Sequence, residues 1–283
     1  MGQQIHWFPG HMNKAQNEIE NKVKLVDVII ELFDARAPLS SINGYLEKIT
    51  QNKKKLIVLT KTDLADPEQT KKWQEFLSNK FDYVLALDLK NANAESSLSK
   101  AVVSLGKDKW AKDISKGMKP QPIRTMIVGI PNVGKSSLIN RLAKRKAAGV
   151  QNKPGYTRGE QWIKVNKDFL LLDTPGILPM SYENQKNAAN LALIGAIRED
   201  ILPNEALGEL LISYLKKYYP NALKNRFDID EITDRITVLN QIALRRKIVN
   251  SVGENDLLRA ESLLLKEFKD GLLGRITLEW YES

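Results

Sequence analysis

Through residues 1–180, short runs of consecutive apolar residues alternate with longer stretches whose apolar positions recur every three or four residues. The runs at 25–33, 55–59, 83–87, 125–128 and 169–172 read as strands, and 161–165 as a further one. Stretches such as 67–79 and 135–144 carry the helical spacing. Strands that are apolar on both faces and separated by helices predict a doubly wound, mostly parallel α/β sheet. After Gly176 the pattern changes: Leu207, Leu210, Leu211, Tyr214 and Leu215, and later Leu257, Leu258, Leu263 and Leu264, repeat at helical intervals. The expected division is an α/β domain over 1–180 and a C-terminal all-helical domain over 181–283. The Lys-rich stretch 107–122, ending Pro-Gln-Pro, reads as a surface connection within the first domain.

Composition narrows the chemistry. The 283 residues include no cysteine and only two histidines, His6 and His11, which removes disulfides, thiol nucleophiles and Cys-ligated zinc and leaves little for a His-rich metal site. No apolar run approaches the ~18 residues of a membrane span, and the opening residues lack the basic-then-apolar order of a signal peptide. A cytoplasmic protein acting away from membranes is expected. The net charge of +9 divides into +11 on 1–180 and −2 on 181–283. A basic first domain suits a polyanionic partner as well as a solvated surface.

Gly129-Ile130-Pro131-Asn132-Val133-Gly134-Lys135-Ser136 fits G-x-x-x-x-G-K-[ST] and sits between the strand 125–128 and a helix opening with Ser136-Ser137. The backbone amides of such a loop, here from Asn132, Val133, Gly134 and on to Ser137, wrap the phosphates. The helix N-terminus adds a favourable dipole. Lys135 is expected to bridge the β- and γ-phosphates, and the Ser136 hydroxyl to ligate Mg²⁺. Asp173-Thr174-Pro175-Gly176 follows the last strand, 38 residues after Lys135. Asp173 there suits a Mg²⁺-holding carboxylate and Gly176 a γ-phosphate sensor. Thr157, in the loop Pro154-Gly155-Tyr156-Thr157-Arg158-Gly159, is the candidate second Mg²⁺ hydroxyl.

Thr60-Lys61-Thr62-Asp63 follows the strand 55–59 and matches the [NT]-K-x-D element that reads guanine. In it Asp63 would accept from the base N1–H and 2-amino group, selecting GTP over ATP, while the Lys61 stem covers the ring. Thr60 stands where Asn is usual, which weakens its expected contact with the guanine edge. The run Ala86-Leu87-Asp88 is a poor match for the Ser-Ala-Lys loop that ordinarily backs the base. The order is unusual: the base element precedes the phosphate loop. Such a permutation is physically permissible, since all these loops lie at the carboxyl edge of one sheet.

These motifs in this order, with Trp7-Phe8-Pro9-Gly10-His11-Met12 at the start and Asp34-Ala35-Arg36-Ala37-Pro38 after the first strand, resemble the circularly permuted ribosome-assembly GTPases. The ending Gly274-Arg275-Ile276-Thr277-Leu278-Glu279 is similar too. The resemblance implies a circularly permuted P-loop GTPase that hydrolyses GTP with Mg²⁺ to drive late assembly of the large (50S) ribosomal subunit. It further implies stimulation by the ribosomal particle, contacts with rRNA and ribosomal proteins, and a helical tail that touches RNA. A monomer is expected. Ile177 occupies the place of the water-orienting Gln of Ras-like enzymes, so intrinsic hydrolysis should be slow, and the resemblance offers His11 as the water-positioning group. Asn132 matches the Asn that ligates K⁺ in related GTPases. The alternative is a nucleotide-gated rRNA-binding assembly factor with negligible turnover.

Overall fold

The structure, a computed structural model, describes residues 11–91, 93–144, 162–172, 185–197 and 202–282, with the side chains of 11–16 and 143–144 excepted. Six strands form one sheet: β1 (Val28–Asp34), β2 (Lys54–Thr60), β3 (Tyr83–Ala86), β4 (Ile123–Gly129), β5 (Trp162–Lys164) and β6 (Phe169–Leu172). Their spatial order is β3-β2-β1-β4-β6-β5. Every neighbouring pair is parallel except β5 with β6. β1 is buried at all seven positions, as expected of a strand covered on both faces.

Register explains how distant segments meet. Asp34 pairs with Thr60, Leu32 with Gly129 and Met126 with Leu172, so the loops after β1, β2, β4 and β6 leave from one edge. From β1 the chain winds outward to β2 and β3, then returns to β4 on the other side of β1. The crevice at such a reversal is where open α/β sheets bind ligands.

Helices α1 (His11–Val23), α2 (Gly44–Ile49), α3 (Pro67–Ser78), α4 (Ala94–Ser115) and α5 (Lys135–Lys144) accompany the sheet. Their starts follow local chemistry. Asp66 caps α3 by accepting from the Glu68 and Gln69 amides, with Pro67 at the first helical position. The stretch 107–122 is not a surface connection throughout: its first nine residues complete α4. Leu98, Ala101 and Val102 are buried and Leu105 packs against the same core, so the lysines lie on the solvent side of a helix that stays anchored by its apolar face. Gly117, at φ +71°, and the prolines that follow end it.

The tail is helical, as expected: α6 (Gln185–Leu193), α7 (Asn204–Tyr218), α8 (Ala222–Phe227), α9 (Arg235–Arg246) and α10 (Leu257–Lys269). Leu207, Leu211 and Leu215 of α7, Leu239 and Ile242 of α9, and Leu264 and Phe268 of α10 are buried together, whereas Leu258 is 67% exposed. Glu261 of α10 is fully buried and forms a fork with Arg235 at 2.6 and 2.8 Å. It lies so close to α7 that a Cβ on Gly208 would sit 1.9 Å from its Oε1, so only glycine fits there. One apolar cluster runs continuously from the strands into these helices. Among the described residues no helix is long and apolar enough to cross a membrane.

One buried group lacks compensation. Glu31 of β1 is 1% exposed and neither carboxylate oxygen has a hydrogen-bond partner. Burial pushes its carboxyl up from 4.5 to about 7; Lys55 opposes this and Glu47 adds to it. The folded chain therefore keeps a proton that the unfolded chain releases, and stability falls as pH rises from 4.5 towards 7. Glu31→Gln stays neutral throughout. Relative to the native chain, its unfolding free energy from urea titration should gain over this range, by about 3 kcal/mol between pH 4 and pH 8. A pH-independent difference would contradict the assignment.

Candidate functional site: a guanine-nucleotide cleft at the sheet edge

The phosphate loop leaves β4 at Gly129 and enters α5 at Lys135. Asn132 and Gly134 adopt positive φ, 57° and 104°, folding the loop back over the helix start. Ile130, Asn132, Gly134, Lys135, Ser136 and Ser137 help line a cavity of about 370 Å³ above it. Ser136 and Ser137 are exposed, and α5 has no acidic residue in its first turn to compete for the positive end of its dipole. A Lys, a hydroxyl and a ring of backbone amides suit a diphosphate with its Mg²⁺. Asn132 donates from Nδ2 to the Gly195 carbonyl at 2.7 Å, joining the loop to the turn after α6.

The base element meets this loop directly. Thr60 is fully buried; its hydroxyl lies 2.6 Å from the Val133 carbonyl and 3.1 Å from the Phe33 carbonyl. The hydroxyl of Thr60, expected near the guanine edge, is directed at the phosphate loop in this structure. With no exposed surface, it fastens the base loop to the phosphate loop through Val133, itself 1% exposed. Its side chain serves at the shorter reach where an Asn would otherwise stand. Lys61 has φ 55° and its ammonium lies 2.9 Å from an Asp34 oxygen. Asp34 also accepts from Arg36 Nε and Nη2, at 3.0 and 2.8 Å. Burial raises the Asp34 carboxyl, but the two cations outweigh it and hold the group down at about 2. The carboxylate thus stays charged and sets the Lys61 stem in place. Asp63 pairs with Lys90 at 2.6 Å.

Lys90 belongs to a segment that sequence reasoning left unassigned. After β3 the chain turns through 88–91, and Arg141 of α5 donates to the carbonyls of Leu89 and Asn91. Leu89 Cδ1 comes within 3.2 Å of the position a Cβ would take on Gly134. This turn therefore closes the side of the cleft beyond Ala86-Leu87-Asp88, held by a cation rather than by a recognisable motif. The only sequence signal was Arg141, one helical turn and a half past Lys135.

His11 is the first residue of α1, but its side chain lies outside the described residues, as do Thr157, Asp173, Gly176 and Ile177. Among the three expected Mg²⁺ ligands, Ser136 alone is described.

The comparisons agree with this geometry. A family model described as "50S ribosome-binding GTPase" matches residues 124–241. Ribosome biogenesis GTPase A of Bacillus cereus is 41% identical over 280 residues, covering 99% of this chain and 95% of that protein. The chain belongs to the ribosome biogenesis GTPase A family. The Thermotoga maritima member is 29% identical over 97% of this chain, and mouse mitochondrial ribosome-associated GTPase 1 is 31% identical over 96%. Among solved structures, GNP-bound YlqF from T. maritima superposes with a TM-score of 0.67 at 26% identity, covering 94% of this chain and 98% of that one. A GDP-bound YlqF structure gives 0.66, covering 94% of this chain and 100% of that one. The chain is accordingly a P-loop GTPase that binds guanine nucleotide with Mg²⁺ and hydrolyses GTP, with its base element ahead of its phosphate loop in the chain.

Thr60→Val keeps the shape and removes the proton that reaches Val133. The chain should still fold, and GDP should bind about fivefold to tenfold more weakly, as expected for one lost buried hydrogen bond. Isothermal titration with GDP measures this; unchanged affinity would show that the fastening is dispensable.

Proposed function

We propose that this GTPase uses GTP hydrolysis to drive a late step in assembly of the large (50S) ribosomal subunit in the cytoplasm, and that the particle stimulates its turnover. Residues 1–180 act as the nucleotide unit. Residues 181–283 contact the particle together with the basic face of the first unit, reaching rRNA and ribosomal proteins. The charge division supports this, because the phosphate-binding capacity lies in the +11 first part rather than the −2 tail.

Within the site, Lys135 and the amides through Ser137 hold the phosphates, Asp63 and the Lys61 stem read the base, and Ser136, Thr157 and Asp173 hold Mg²⁺. The metal supplies charge neutralisation at the β/γ-bridge. Gly176 senses the γ-phosphate. His11 positions the attacking water, a task Ile177 has no polar atom to perform. Asn132 ligates K⁺ through Oδ1, the oxygen left to it when Nδ2 is taken by Gly195. The observation that carries the proposal is the fastening of the base loop to the phosphate loop at 2.6 Å in a chain matched end to end by ribosome biogenesis GTPase A.

Sedimentation with purified ribosomal subunits tests the partner. The chain should travel with large subunits under a non-hydrolysable GTP analogue, and much less under GDP or with small subunits. Equal retention under both nucleotides would overturn the gating, and retention by small subunits alone the partner. Added large subunits should raise the GTPase rate. Replacing KCl by NaCl at equal ionic strength should lower it, whereas equal rates in the two salts would remove Asn132 from the cation's ligands.

A further inference from the structure

The end of the chain is seated on the base loop. Arg275 sends Nε to the Ala65 carbonyl at 2.8 Å and Nη2 to the Thr62 carbonyl at 2.7 Å. The next amide, of Ile276, donates to the Leu64 carbonyl at 2.9 Å. Thr277 Oγ1 then accepts the Asp66 amide at 3.1 Å. Upstream, a Cβ on Gly271 would lie 2.5 Å from Leu64 Cδ2, so the tail backbone rests directly on that side chain. The backbone is thus gripped at 62, 64, 65 and 66, on both sides of Asp63, and the Asp63 carboxylate projects towards Lys90 instead.

We propose that Arg275 is a positioning residue for guanine recognition. Its guanidinium spans the two carbonyls that bracket Asp63 and holds that carboxylate where it meets the N1–H and 2-amino group of the base, without touching the nucleotide. The inference rests on residues 60–63 being the base reader. The physical reason is preorganisation. A base loop free to sample other conformations binds only in the fraction of time its carboxylate is correctly aimed, and the affinity falls by that fraction. A planar fork can bridge two carbonyls at once; a lysine ammonium is a single point and holds them less firmly. Among the described residues the hydrogen bonds of Arg275 go to the base loop, so what Arg275 supplies falls first on the base.

The test compares full-length native chain with Arg275→Met, Arg275→Lys and Leu264→Ala, the last cutting a buried side chain in the tail core. GDP and ADP affinities are measured by displacement of a fluorescent GDP. Arg275→Met should weaken GDP about tenfold and leave ADP, held through its phosphates, within twofold; Arg275→Lys should fall between. Leu264→Ala should keep the native GDP-to-ADP ratio. The inference is overturned if Arg275→Met leaves GDP binding unchanged, weakens both nucleotides equally, or shifts the ratio no more than Leu264→Ala does. A native chain with no preference for GDP would instead refute the base-reader assignment itself, a separate result.

Discussion

A single buried carboxylate holds the cleft in shape. Asp34 closes β1 at the sheet edge, is fully buried, and stands between two cations with opposite duties. Lys61 leads to the loop after β2. Arg36, 2% exposed, leads away: its Nη atoms reach the carbonyls of Ile194 and Lys269, and its guanidinium lies 5.8 Å from the ring centroid of Phe268. Removing Asp34 leaves the buried Arg36 guanidinium uncompensated, a cost of about 3–5 kcal/mol. The pairing is therefore less a source of net stability than a device that allows only one arrangement of three loops. With Asp34 charged and in place, the base loop, the turn after α6 and the end of α10 are all fixed to the same point.

Much of this was legible in the residues. Strands β1, β2 and β4 announced themselves as apolar runs because they are covered on both faces, and the glycines and Lys of the phosphate loop because few other residues can wrap phosphates. The α4 helix was misread over 107–115 because its lysines mask a narrow apolar face made largely of Ala and Val. For Thr60 the motif names the residue type and not its direction. Only burial shows that it points at Val133. The turn at 88–91 carries no motif, since its role depends on backbone carbonyls, which every residue possesses; the partner, Arg141, reaches it only in three dimensions.

The ending of the chain shows the same limit from the other side. Glu279 accepts from the Leu39 and Ser40 amides, at 2.6 and 3.0 Å, and from Asn190 Nδ2 at 3.1 Å. Burial raises its carboxyl above the usual range, and the donors offset this only in part. Leu278 donates to the Arg36 carbonyl, and Trp73 Nε1 to that of Glu279. A short terminal strap thus makes polar contacts with the loop after β1, with the base loop, and with α3. In the sequence these residues form a motif of mixed polarity, with no property that reveals what they face.

Permutation gives the strap its consequence. In the chain order found here the base loop precedes the phosphate loop, and the tail follows the Asp173-Thr174-Pro175-Gly176 segment. Both ends of the nucleotide cleft therefore border the tail. The phosphate loop does so through Asn132 and Gly195, the base loop through Thr62, Leu64 and Ala65. Ligand binding that favours one placement of these loops must favour the matching placement of the tail by the same free energy, because linkage is reciprocal. A partner that grips α7–α10 consequently acts on the cleft without reaching into it, and the cleft's contents act on how well that partner is held.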